Sequence, residues 1–329
     1  MASSKAKGLL TLLAVAVVVM APGFVLSLTG HTEYAAVAGF GALSCLLPTL
    51  YGGWKVGLGT AVGVAIAGGL ALSWSDNAWL AALLMLVVGI AVGLTARPGW
   101  NAGMILAPIT IALILATPPT GSDHSLAVSI RCGIILLAAG VFAAIVGALV
   151  TMKGPVQEPK PNTPGRSLNY GLTLGILLMI AAWFTVTLES GKPGMWAMMT
   201  IILVIQPVVK DSFSNALQRA GGTVIGVVIA ILLALIPMPD AVFYIVAVIA
   251  LALAFLVKSK DKADWQFIAM LTITMVILQG IATSIEQTAI ARLWATLLGA
   301  AAAIIVMFIE WRILKDRVGD RASARGASA

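Results

Sequence analysis

Arg131 and Arg292 carry the chemistry of greatest consequence in this sequence, because each guanidinium interrupts an otherwise apolar run. A cation inside a lipid-embedded helix costs roughly 2.5–3.5 kcal/mol on insertion scales and needs compensation. Either the long side chain snorkels to a nearby interface, or it holds an anion. Both arginines sit early in the last apolar run of their half of the chain, and this recurrence favours a paired site over chance.

Other polar groups are sparse enough to be informative. Trp196, Thr200 and Gln206 follow one another down a single apolar run that Pro207 closes, and Thr272, Thr274 and Gln279 lie in a later one. Trp196 suits an interfacial anchor, whereas Thr200 and Gln206 either line a polar path or bond to a neighbouring helix. Gly59 and Gly63, and again Gly222 and Gly226, form small-residue faces at four-residue spacing. Such faces let helices approach closely in lipid, or they leave room for a substrate path into which the Thr60 and Thr223 hydroxyls point. Lys55, Lys210 and Arg219 stand where a basic inner mouth would attract anions. His31 and His124, in gaps between runs, are expected to be solvated.

Several chemistries are missing. There is no Gly-rich phosphate cradle ending in Lys-Ser/Thr, no His-Glu-x-x-His, and no Ser/His/Asp spacing that suggests a hydrolase. Cys45 and Cys132 both lie in apolar runs, which removes a disulfide framework and a thiolate metal site. No metal or cofactor is expected, and no enzyme activity. Glu33, Glu189, Glu286 and Glu310 all fall at the ends of runs, so no deep carboxylate offers itself as a proton carrier.

The elements that position these groups are membrane helices. Of the 329 residues 60% are apolar and 10% charged, against about 25% charged in soluble domains. The 20 Lys and Arg form no stripe with interleaved aromatics, which argues against nucleic acid. A bilayer core needs about 20 apolar residues per helix. Runs at 8–29, 33–50, 54–73, 78–96, 101–117, 126–151, 168–188, 194–209, 213–236, 241–257, 264–281 and 287–310 predict about twelve transmembrane helices in an all-α fold. The first run is read as a retained helix rather than a cleaved signal. Alternating the gaps puts nearly all loop Lys and Arg on one side, with only Lys192 opposite, and one acid in each gap of the opposite side. Basic residues concentrate in cytoplasmic loops, so both termini are expected there, in a multi-pass protein of the bacterial inner membrane.

Gly59-Thr60-Ala-Val-Gly63 aligns with Gly222-Thr223-Val-Ile-Gly226 at an offset of 222 − 59 = 163 residues. The expected organisation is a six-helix repeat over 1–152, a cytoplasmic linker over 153–167, a second repeat over 168–311 and a basic cytoplasmic tail over 312–329. Six helices per repeat give both halves the same orientation, with a path between them.

From Met195 onward the sequence resembles the fusaric acid resistance and aromatic acid exporter superfamily, which includes the aluminium-activated malate transporters. The resemblance lies in Trp196-Ala-Met-Met-Thr200, Gln206-Pro207, Arg219-Ala-Gly-Gly222-Thr223-Val-Ile-Gly226 and Arg292-Leu-Trp-Ala-Thr296-Leu-Leu-Gly299. The first half keeps Gly59, Thr60 and Gly63 but has Val56, beside Lys55, in place of the arginine. The resemblance implies an inner-membrane exporter of aromatic or other organic acids that works with a periplasmic membrane-fusion adaptor protein. The expected function is therefore export of organic anions, aromatic carboxylic acids foremost, with the membrane potential as driving force. Arg131, Arg292, Arg219, Lys55, Thr60, Thr223, Trp196, Thr200 and Gln206 are the candidate substrate-binding residues. The alternative is a non-transporting scaffold or adaptor partner in the bilayer. Substrate identity, energy coupling and homo-oligomerisation stay open.

Overall fold

The computed structural model describes residues 17–18, 21–121, 123–151, 161–207, 209–259, 264–280 and 284–326. Most of the linker expected over 153–167 lies outside the described residues, as do Lys5, Lys7 and the start of the first apolar run. Among the described residues the regular elements are helical. A helical stretch at 21–28 precedes α1 (Ala35–Gly52), α2 (Trp54–Ser73), α3 (Ala78–Leu94), α4 (Asn101–Met104), α5 (Leu106–Ala116), α6 (Leu126–Thr151), α7 (Pro164–Thr187), α8 (Gly191–Val204), α9 (Val209–Ala234), α10 (Asp240–Ser259), α11 (Asp264–Gly280) and α12 (Ile285–Gly326). Six described segments are long and apolar enough to cross a membrane: Thr32–Gly52, Trp54–Ser73, Leu126–Leu149, Pro164–Thr187, Ser212–Ala234 and Ile285–Ile309. With the shorter apolar helices beside them, they make this a multi-pass membrane protein.

Local chemistry sets the boundaries. Gly53, at φ 81°, turns the chain between α1 and α2, a left-handed conformation that favours glycine. The Asn77 side chain accepts hydrogen bonds from the Trp79 and Leu80 amides, both at 3.1 Å, and so caps α3. Thr163 caps α7, with Pro164 in its first turn. The run expected to be one helix over 101–117 breaks at Ile105 into α4 and α5. Pro108 lies four residues beyond Met104, leaving that carbonyl without its helical donor.

Compactness divides the chain at 202/203, away from the repeat boundary expected from the sequence. In the first unit, α6 packs along both α1 and α2, and α5 packs beneath that pair. Small residues allow it: a Cβ on Gly140 would lie 2.7 Å from the Ala61 Cβ and 2.9 Å from the Cys45 sulfur. Ser44 and Thr110 join α1 to α5 by a buried hydroxyl pair at 2.7 Å. Helix α3 packs chiefly on α7 and only sparsely on α2, so a cleft separates α2 from α3.

The second unit is built on α9, which packs against α11 and α12, with α10 against α11. Phe243, Ala247, Ala250, Ile273 and Ile277 form one apolar cluster, and Val227, Ala230, Val276 and Ala289 another. Thr274 donates to the Ala247 carbonyl across α10 and α11 at 3.3 Å, so this threonine serves interhelical bonding. The tail expected over 312–329 continues α12 as helix to Gly326.

Candidate functional site

Two of the predicted arginines lie on packed helices of the second unit. Arg219 on α9 is 7% exposed and Arg292 on α12 is 3% exposed. The helices pack together and the two guanidinium charges lie within electrostatic reach of each other. Each arginine is followed one helical turn later by a buried threonine, Thr223 on α9 and Thr296 on α12.

The small-residue face of α9 packs against α11. A Cβ on Gly222 would lie 2.6 Å from the Trp265 carbonyl, and one on Gly226 would lie 2.6 Å from the Ala269 carbonyl. The close approach of α9 to α11 therefore requires both glycines, and it supports the packing role of this face. Among the described residues, Arg219 has no carboxylate in ion-pair range, and neither its Nε nor the Thr296 hydroxyl has a hydrogen-bond partner. Two buried guanidinium groups on packed helices, each with a threonine one turn on, have the chemistry to accept an anion. The side chain of Lys210 lies outside the described residues.

Arg131 has a different environment. It sits on α6 of the first unit, which is not the unit that holds Arg292, and it is exposed. The buried faces of α6 and α12 superpose at an offset of 160, pairing Cys132 with Arg292 (132 + 160), Gly140 with Ala300 and Ala143 with Ala303. Cys132, not Arg131, is thus the burial counterpart of Arg292. The exposure of Arg131 matches the snorkelling alternative.

In the first unit, Lys55, Gly59, Thr60 and Gly63 line the cleft between α2 and α3, floored by α4 and α5, with a volume of about 710 Å³. The exposed Lys55 ammonium lies 5.8 Å from the centre of the Trp54 ring. The Thr60 hydroxyl donates to the Val56 carbonyl at 2.8 Å and lies 3.4 Å from the Met104 sulfur. A Cβ on Gly59 or Gly63 would meet nothing within 4 Å. The two small faces thus differ: on α9 it is packed shut, on α2 it opens into a cavity.

Trp196 is 2% exposed, so it is a core residue and not an interfacial anchor. Thr200 donates to the Trp196 carbonyl at 2.8 Å, inside its own helix. Gln206 stands in the α8–α9 connection, where its backbone N–H donates to the Ser212 hydroxyl at 2.7 Å and its side-chain amide to the Leu203 carbonyl at 3.4 Å. None of these three lines the cleft.

Two features escaped the sequence reading. Thr95, Trp100 and Met104 complete the cleft, but nothing in their spacing marks a cavity. His124 is engaged rather than solvated: Nδ1 lies 2.9 Å from the Ser75 hydroxyl and Nε2 3.1 Å from an Asp76 oxygen. The signal was the shared outer position of the two gaps, which brings 75–76 beside 124.

Residues 176–306 match the family model described as fusaric acid resistance protein-like. The match runs from within α7 to α12 and contains Arg219, Thr223, Arg292 and Thr296, while the cleft of the first unit lies outside it. No curated protein and no solved structure matches the chain.

Proposed function

We propose that this membrane protein, whose residues 176–306 make up a fusaric acid resistance protein-like region, exports organic anions from the cytoplasm across the inner membrane, aromatic carboxylates foremost. The observation that carries the reading is the buried pair Arg219 and Arg292. A buried cation is costly in a lipid-embedded helix, and a passing carboxylate would offset that cost for Arg219, which has no carboxylate in ion-pair range among the described residues. Thr223 and Thr296 would donate to the same group as it crosses.

The wider architecture in this reading is two like-oriented six-helix repeats with both termini in the cytoplasm. The basic side then faces the source of substrate and raises the anion concentration there. A periplasmic adaptor would receive the product. Fusaric acid, named in the family's description, is a pyridine carboxylic acid with an alkyl chain and so combines one negative charge with an apolar body.

The test is flux from proteoliposomes holding the purified full chain and loaded with a panel of aromatic and aliphatic acids, fusaric acid included. Saturable efflux of aromatic monoanions is expected. A folded protein that releases none of the panel would overturn transport and favour the scaffold alternative.

A further inference from the structure

We propose that the cleft between α2 and α3 is a binding site for elongated amphipathic monocarboxylates, with the carboxylate at Lys55 and the apolar body along the two helices. Neither Arg219 nor Arg292 lines it, and it stands on its own geometry, since occupancy needs no flux.

The cleft is polarised along its length. Lys55 at the start of α2, Thr95 just after α3 and Trp100 define one end, and Leu70, near the end of α2, and Leu84, about two turns into α3, define the other. From Lys55 to Leu70 is 15 residues, about 22 Å at the rise of a helix. A volume of about 710 Å³ falls within the range of small-molecule sites. Long and narrow, it suits an alkyl or alkyl-aryl chain better than a compact ring.

Among the described residues, Lys55 is the one charged residue lining this cavity. The Thr60 and Thr95 hydroxyls already donate to the Val56 and Val92 carbonyls, at 2.8 and 2.6 Å. That leaves the ammonium and the Trp100 indole N–H as donors for a carboxylate. A second carboxylate at the Leu70–Leu84 end would meet no donor among the described lining residues and would be desolvated there, so monocarboxylates are favoured over dicarboxylates. An ammonium head would meet the Lys55 charge. Gly59 and Gly63 keep the middle of the cleft open, and a side chain added at either has free space to enter.

The experiment uses the full chain in zwitterionic nanodiscs with the polyene fatty acid cis-parinarate, read by energy transfer from tryptophan. Saturable binding is expected, displaced by dodecanoate but not by dodecanedioate or dodecylamine. Lys55→Gln should weaken it about tenfold, the scale of one charge-assisted hydrogen bond. Gly63→Leu should abolish it with unchanged thermal unfolding, and Gly59→Leu is the second variant should Gly63→Leu misfold. Binding that ignores both Lys55→Gln and the glycine variants, or that dodecylamine displaces as well as dodecanoate does, overturns the proposal and leaves only a groove for bilayer acyl chains. Arg219→Gln should leave parinarate binding intact. Absent flux with retained binding therefore strikes the transport reading and not this site.

Discussion

Gly89 of α3 lies backbone to backbone with Gly175 of α7: a Cβ on Gly89 would stand 2.6 Å from the Gly175 amide nitrogen. One turn on, Gly93 faces Gly171 in the same way, and a Cβ on Gly93 would be 3.1 Å from the Ser167 carbonyl. Packing in lipid is driven by such close approach rather than by a hydrophobic term. Gly175→Leu places four carbons against backbone that no rotamer change can move, and overpacking of this kind costs about 1–3 kcal/mol or more. Thermal unfolding in detergent should show a clear loss of stability. Gly59→Leu, which enters open space, should leave the transition near that of the wild type.

The arginine pair predicts an asymmetric mutational result. Arg219→Gln and Arg292→Gln each remove one of two buried charges, and each should cut anion flux by at least about tenfold, the equivalent of about 1.4 kcal/mol. Arg131→Gln removes an exposed charge from α6 and should leave flux within about twofold. Initial rates in proteoliposomes, normalised to folded protein, check all three. Equal losses from Arg131→Gln and Arg292→Gln would restore the pairing that the sequence suggested.

The helices were legible because apolar run length needs only composition. Faces were not. An α-helix turns about 100° per residue, so a misalignment of one position moves a side chain to another face. Arg131 and Arg292 hold similar places within their runs, yet the buried partner of Arg292 is Cys132, one residue on. The same limit applies to Gly63 and Gly226, which share a motif while one lines a cavity and the other is packed on the Ala269 carbonyl. The glycine spacings at 89/93 and 171/175 carried a readable signal for α3 against α7, but nothing in them named the partner. The expected single helix over 101–117 passes through Pro108, which splits α4 from α5 because the Met104 carbonyl loses its donor.

The loop before α6 should respond to acid. The Ser125 amide donates to the Asp123 carboxylate at 3.1 Å, and this bond, with a further one from the Ser125 side chain, holds Asp123 below its ordinary value of 3.8. The folded form therefore binds the proton less readily than the unfolded one. The bond's contribution is complete above pH 3.8 and is lost as pH falls through the lower folded value. Exchange at the Ser125 amide should accelerate in that acidic window. Asp123→Asn keeps an acceptor that does not titrate, so its exchange should follow the intrinsic pH dependence alone.

Driving force separates the transport mechanisms most directly. Arg219 and Arg292 are buried cations, and the acids Glu33, Glu189 and Glu286 stand at or beside helix ends, at Thr32–Tyr34, just after α7 and in the first turn of α12. If the protein exports anions as proposed, these cations attract the anion, while the three acids named stand too near helix ends to pass a proton through the bilayer. An exported monovalent anion gains about 2.3 kcal/mol per 100 mV of interior-negative potential, which corresponds to a roughly fifty-fold gradient at equilibrium. Proteoliposomes with a valinomycin-imposed potassium potential and no pH gradient should therefore show accelerated anion efflux when the lumen is negative and slowed efflux when it is positive. Flux that ignores the imposed voltage and follows a pH gradient would instead require a proton partner, and the first variant to make would be Asp264→Asn, at the start of α11.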